Sequence, residues 1–156
     1  MYKTILVPLD GSELAELVFP HVEMLAKQSR HWPAVDVILL RVAQLPRVPI
    51  AGVQDRFGAS ALVVEQAAIA DREDAEKYLA EVAERFKESG LKVRTELMIG
   101  DAADEILEYA KKHPVDLIAM ATHGRSGISR WAYGSVASKV LREINTPLLL
   151  VTPPKE

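Results

Sequence analysis

Two short stretches of the chain combine residue types suited to holding a phosphorylated ligand. One is Pro8-Leu9-Asp10-Gly11-Ser12, where a carboxylate follows directly on an apolar run. The other runs from Ala121-Thr122-His123-Gly124-Arg125-Ser126-Gly127 to Gly134-Ser135. Glycines let a backbone approach a ligand closely, and the free N–H groups at a helix start favour phosphate oxygens. Gly134 to Ala137, with the Ser135 hydroxyl, supply such a start, and a polyphosphate fits that chemistry. A carboxylate at a strand end beside the point where a sheet reverses its strand order suits a ribose hydroxyl, which is the use open to Asp10. Each piece also has a structural reading: Gly124 and Gly127 turn the chain, and Asp10 and Ser135 each cap a helix.

Other chemistries find no support in the pattern. The phosphate loops GxxxxGK(S/T) and GxGxxG are absent, as are a GxSxG nucleophile elbow and the Ser-Gly-Gly or His-x-Gly-His signatures of nucleotidyl transfer. The chain has no cysteine, which excludes disulfides, thiolate nucleophiles and cysteine-bound metals, and points to the cytoplasm as the simplest location. The four histidines lack close metal-ligand spacing. His21, His31 and His113 read as surface or helix-face residues, while His123 stands apart because of its loop. A net charge of −3, a pI near 5.8 and the lack of any Lys/Arg run argue against nucleic acid as a partner. The apolar runs fall far short of the ~20 residues a membrane span needs, so neither signal peptide nor anchor is expected.

The elements that must position the two stretches alternate along the chain. Residues 4–9 read as a two-sided apolar strand, followed by a turn and one helical pattern through Leu14, Val18, Val22 and Leu25. Residues 35–42 (VDVILLRV) form a second, β-branched strand. From 43 to about 60 periodicity vanishes and Pro46, Pro49, Gly52 and Gly58 punctuate a candidate lid. A long helix over 61–88 carries the stripe Ala75, Tyr78, Leu79, Val82 and Phe86, with Gly90 placed as a left-handed cap. Residues 91–98 alternate apolar with charged side chains, the pattern of a guarded edge strand. Asp101 then caps a helix that turns Ile106, Leu107 and Ala110 inward until Pro114. A strand at 115–121, a glycine-rich loop at 122–133, a helix bearing Val136, Val140, Leu141 and Ile144, and a last strand at 148–151 complete the order. Such alternation implies one α/β domain over 1–156, with a parallel sheet covered on both faces by right-handed crossovers. Its ligand site is expected outside the carboxyl ends of the first and fourth strands.

The opening TILVPLDGSELAE, the string MATHGRSGISRWAYGSVASKVL and the ending NTPLLLV together resemble the universal stress protein family, over essentially the whole chain. Nucleotide-binding members of that family carry G-x2-G-x9-G-(S/T). The register here is Ala121-x2-Gly124-x9-Gly134-Ser135, so alanine stands in place of the first glycine. The resemblance implies a doubly wound (Rossmann-like) five-stranded parallel sheet of order 3-2-1-4-5 with helices on both faces. It further implies an adenine nucleotide, ATP or AMP, with Mg2+ accompanying ATP. Asp10 would take the ribose, and Pro8, Leu9, Val42 and Met120 would surround the base. Gly124, Gly134, Ser135, Val136 and Ala137 would hold the phosphates, in a site that also includes Ala121, His123 and Arg125. Arg130 would add charge nearby, and Trp131 would pack its loop.

A homodimer through Leu148 to Val151 is implied as well, and this run carries no guarding charge before Pro153-Pro154. The leading expectation is a nucleotide-binding stress-response regulatory protein. Two alternatives stand beside it. One is a dimeric interaction module that binds no nucleotide, for which Ala121 is the main support. The other is a slow ATPase, in which His123 and Asp10 are the candidates to position water.

Overall fold

The computed structural model describes residues 2–28, 35–43, 59–122 and 134–154, with their side chains except those of 59–62 and 64. At its centre β1 (Thr4–Leu9) is buried on both faces, with Ile5, Leu6 and Val7 wholly inaccessible, as a continuous branched apolar run requires. β2 (Asp36–Ala43) flanks it on one side and β4 (Leu117–Ala121) on the other, all parallel. β3 (Lys92–Ile99) and β5 (Leu148–Val151) form the edges, giving the order β3-β2-β1-β4-β5. The expected order and the bounds of the first and last strands hold; the other strands shift by one or two residues.

One irregularity matters for function. The β1–β2 register continues to Leu9↔Arg41, but the β1–β4 register runs through Ile5↔Leu117 and Leu6↔Ile118. Pro8 lies just past that point and has no N–H to carry a ladder further. The two central strands therefore part at their carboxyl ends. At their amino ends they are tied: the Asp116 carboxylate accepts from the Lys3 and Thr4 amides at 2.8 and 2.9 Å. Asp36 likewise holds β2 to β3 through Arg94 at 2.7 Å and Lys92 at 3.6 Å.

Helices cover both faces. α2 (Phe19–Lys27), with Val18 just before it, and α3 (Ala59–Glu88) pack through Phe19, Val22, Leu79, Val82 and Phe86 against Val7, Val37 and Leu39. α4 (Ala102–Lys112) and α5 (Ser135–Glu143) cover the other face through Ile106, Leu107, Ala137 and Val140, against Leu6, Ile38, Leu40 and Ile118. α3 ends as its glycine suggests: Gly90 has φ 80°, its amide donates to Lys87 O at 2.8 Å, and the Leu91 amide donates to Phe86 O at 3.2 Å.

Two expectations are corrected. The single helix after β1 is two, α1 (Glu13–Glu16) and α2, because Pro20 has no N–H for the Glu16 carbonyl and its ring would crowd that group. Pro20 instead sits in the first turn of α2, where its missing donor costs nothing. Leu141 does not face the core and is 46% exposed. It lies one residue past Val140, about 100° around the helix, and Ala137 takes the inward place. The candidate lid falls largely on residues 44–58, outside the described residues.

Asp101 caps α4 as expected, its Oδ1 accepting from the Ala103 and Asp104 amides. The Asp104 amide, with the Lys139 ammonium nearby, holds this carboxyl below its ordinary value of 3.8. A depressed folded-state pKa means stability that is present above the unfolded value near ~3.9 and lost as pH falls below it. Asp101→Asn, which keeps an acceptor but no charge, is therefore expected to flatten the decline in urea midpoint on acidification below that value. An unchanged decline would assign it to other carboxylates.

Candidate functional site

Where β1 and β4 part, a crevice of about 490 Å³ opens. Pro8, Leu9 and Asp10 line it from the end of β1, Val42 from β2, and Met120 and Ala121 from β4. Gly134, Ser135, Val136 and Ala137 line it from the start of α5. These ten of the expected site residues thus meet in one place, although they come from four separate segments. His123, Gly124 and Arg125 lie outside the described residues, as do His31, Arg130 and Trp131. His21 and His113 are exposed, and no group of three His, Asp or Glu able to hold a metal occurs among the described residues.

The Asp10 turn is built with some care. Asp10 Oδ1 accepts from the Ser12 amide at 2.9 Å and from Ser12 Oγ at 2.6 Å, while Ser12 Oγ accepts from the Ala15 amide at 3.1 Å. Ser12, not Asp10, is thus the cap of α1, so the capping reading of Asp10 gives way to a carboxylate held by its own turn. Oδ2 bonds no described residue. Between them Gly11 adopts φ 84°, a backbone conformation that favours glycine, and a Cβ there would lie 2.5 Å from Arg41 Nη1 and push the end of that side chain aside.

Arg41 supports this turn from the α3 side. Its guanidinium stands 5.6 Å from the Tyr78 ring centroid, with Nε and Nη1 buried and not hydrogen-bonded among the described residues. The Tyr78 hydroxyl donates to Glu16 Oε1 at 3.1 Å. Burial first, and then the Glu16 charge, push the Tyr78 phenol well above its ordinary value, so it stays a neutral donor.

At the opposite wall Ala121 pairs with Val151 in the β4–β5 ladder, an extended position any residue can occupy. Thr122 follows. It is 3% exposed and the only buried polar residue among those described. Its amide donates to Val151 O at 2.9 Å and its Oγ1 accepts from the Gly134 amide at 3.2 Å. α5 itself has no side-chain cap, and the residues of its first turn, Ser135, Val136 and Ala137, line the crevice.

Sequence reasoning missed Leu14, Ala15, Leu40, Ala102 and Ile106 as lining residues, and the roles of Arg41 and Thr122. Arg41 carried a signal, being the single cation in an apolar strand; the others read only as core or loop. Leu9, Leu40, Val42, Ile106 and Met120 make an apolar slot, with the Asp10 carboxylate and the α5 start as its polar ends. Asp10 is the one ionisable side chain among the described lining residues. The arrangement offers groups that bind and orient: a flat apolar ring, hydroxyls and an anion each find a complement.

A parallel sheet wound outward in both directions from β1, with its crevice at the β1/β4 reversal, defines a doubly wound α/β fold. The model of the universal stress protein family matches residues 1–152, and the chain belongs to that family. It is 31% identical over 156 residues to universal stress protein MJ0531 of Methanocaldococcus jannaschii, covering all of this chain and 85% of that one. Among solved structures, that of hypothetical protein MJ0577 superposes with a TM-score of 0.79 at 28% identity, covering 100% of this chain and 99% of the other. A universal stress protein from Archaeoglobus fulgidus in complex with dAMP shares the fold, with a TM-score of 0.60, 19% identity and coverage of 96% and 97%. No helix among the described residues is long and apolar enough to cross a membrane.

Proposed function

We propose that the crevice binds an adenine nucleotide, ATP or AMP, and that the protein is a nucleotide-dependent regulatory module of the stress response. The observation that carries this reading is the convergence on one crevice of the turn-held Asp10 carboxylate, an apolar slot and the uncapped start of α5. In this reading the base lies against Pro8, Leu9, Val42 and Met120, and a ribose hydroxyl donates to Asp10. The phosphates accept from the amides of Ser135, Val136 and Ala137, with His123, Gly124 and Arg125 contributing from the segment between β4 and α5. The Archaeoglobus relative in complex with dAMP supports the ligand class. Mg2+ enters with ATP through the phosphate oxygens. Self-association belongs to the same reading: β5 is an edge strand of four partly exposed apolar residues without a guarding charge.

The test is a calorimetric titration of Mg·ATP and AMP into nucleotide-stripped protein, with Val42→Trp as a variant that fills the slot from its wall. Micromolar binding that the tryptophan abolishes is the expected result. No heat at millimolar nucleotide would overturn the proposal and leave an interaction module built on the same fold.

A further inference from the structure

We infer that Thr122 is the positioning residue that fixes where α5 begins relative to β4, and thereby sets how well the crevice holds phosphate. The inference rests on the nucleotide reading and adds to it a residue outside the glycine pattern. Two hydrogen bonds place Thr122 between the sheet and the helix. Its amide is tied to β5 through Val151 O at 2.9 Å, and its buried hydroxyl oxygen accepts from the Gly134 amide at 3.2 Å, across twelve positions of chain. Gly134 is the residue from which α5 starts, and the three residues after it line the crevice.

Several other contacts of α5 are of a different kind. Ala137 and Val140 pack in the core, and Lys139 reaches Asp104 of α4 at 2.6 Å. Apolar packing and a long ammonium arm tolerate small slides along the helix axis. A directional bond to the first amide does not, because it weakens steeply with distance and angle. Phosphate recognition by backbone N–H groups depends on that same axial placement. A threonine hydroxyl is therefore a fixed point from which the anion-binding end of the site is measured.

The experiment compares wild type, Thr122→Val and Thr122→Ser by two readouts. Valine matches threonine in shape but offers no acceptor, whereas serine retains it. In the unliganded proteins, hydrogen exchange at the Gly134 amide is expected to speed up by about tenfold or more in Thr122→Val and to stay near wild type in Thr122→Ser. In calorimetry, Thr122→Val is expected to lose about tenfold in affinity for Mg·ATP and AMP while binding adenosine within about twofold of wild type, with Thr122→Ser restoring the difference. Unchanged Gly134 exchange in Thr122→Val, or equal losses for adenosine and ATP, would overturn the inference. A wild type that binds neither ligand would sink the nucleotide reading itself, and the exchange comparison would still decide whether Thr122 fixes α5.

Discussion

Replacing Asp10 by alanine is expected to weaken ATP binding by about 10- to 150-fold, the worth of a charge-assisted hydrogen bond of ~1.5–3 kcal/mol. The geometry behind this is specific. Oδ1 is occupied by two donors of Ser12, which holds the carboxylate in one orientation and leaves Oδ2 for the proposed ribose contact. Asp10 is exposed and caps no helix, so its loss removes little packing, and the melting temperature should stay close to wild type. Asn at the same position keeps the acceptor without the charge and should fall between the two. Measured with free adenine, which has no sugar, the difference between Asp10 and Ala should vanish. Equal ATP affinities for wild type and Asp10→Ala would remove Asp10 from the sugar contact.

The largest effect on stability is expected on the other face of the sheet. Phe86 is almost wholly buried, its ring meets Phe19 edge-on at 4.9 Å and 84°, and its carbonyl receives the closing bond of the α3 cap. Phe86→Ala leaves a cavity among Val82, Leu79 and Phe19, and should cost ~3–5 kcal/mol, visible as a large drop in the urea midpoint. A drop of less than ~1 kcal/mol would mean that the site collapses around the missing ring. Phe86 shares its core cluster with Leu9 and Ala15 but not with Leu40, Ile106 and Met120, so nucleotide affinity measured on the folded variant should change less than stability does.

Much of the fold was legible because its signals are local. The apolar runs at 4–9 and 148–151, the alternation of Lys92 and Arg94 with Val93, and the pairing of Asp101 with a following apolar stripe each depend on neighbours in sequence. The break at Pro20 was local too, and lay in the spacing between Glu16 and a residue without an N–H. What periodicity does not carry is the partner across the fold. Ile106 and Leu40 read as core, and they are, but both also stand at the rim where two strands part. Asp10 offered a cap or a ligand, and only the Ser12–Ala15 bond separates the two. Thr122 and Gly134 lie twelve positions apart, and nothing in their residue types says that one bonds the other.

The central pair of strands is tied at one end and open at the other. The carboxylate of Asp116 fastens β1 to β4 at their amino ends, as Asp36 fastens β2 to β3, while the carboxyl ends of β1 and β4, parted beyond Leu6, are left to line the crevice. The polar groups of the crevice, Asp10 and the start of α5, are thus not the ones that fasten the strands, although Leu40 and Ile106 serve core and crevice alike. Variation at the crevice can be inherited and tried without loosening the fastened end, so a lineage can change what the domain answers to while keeping the domain.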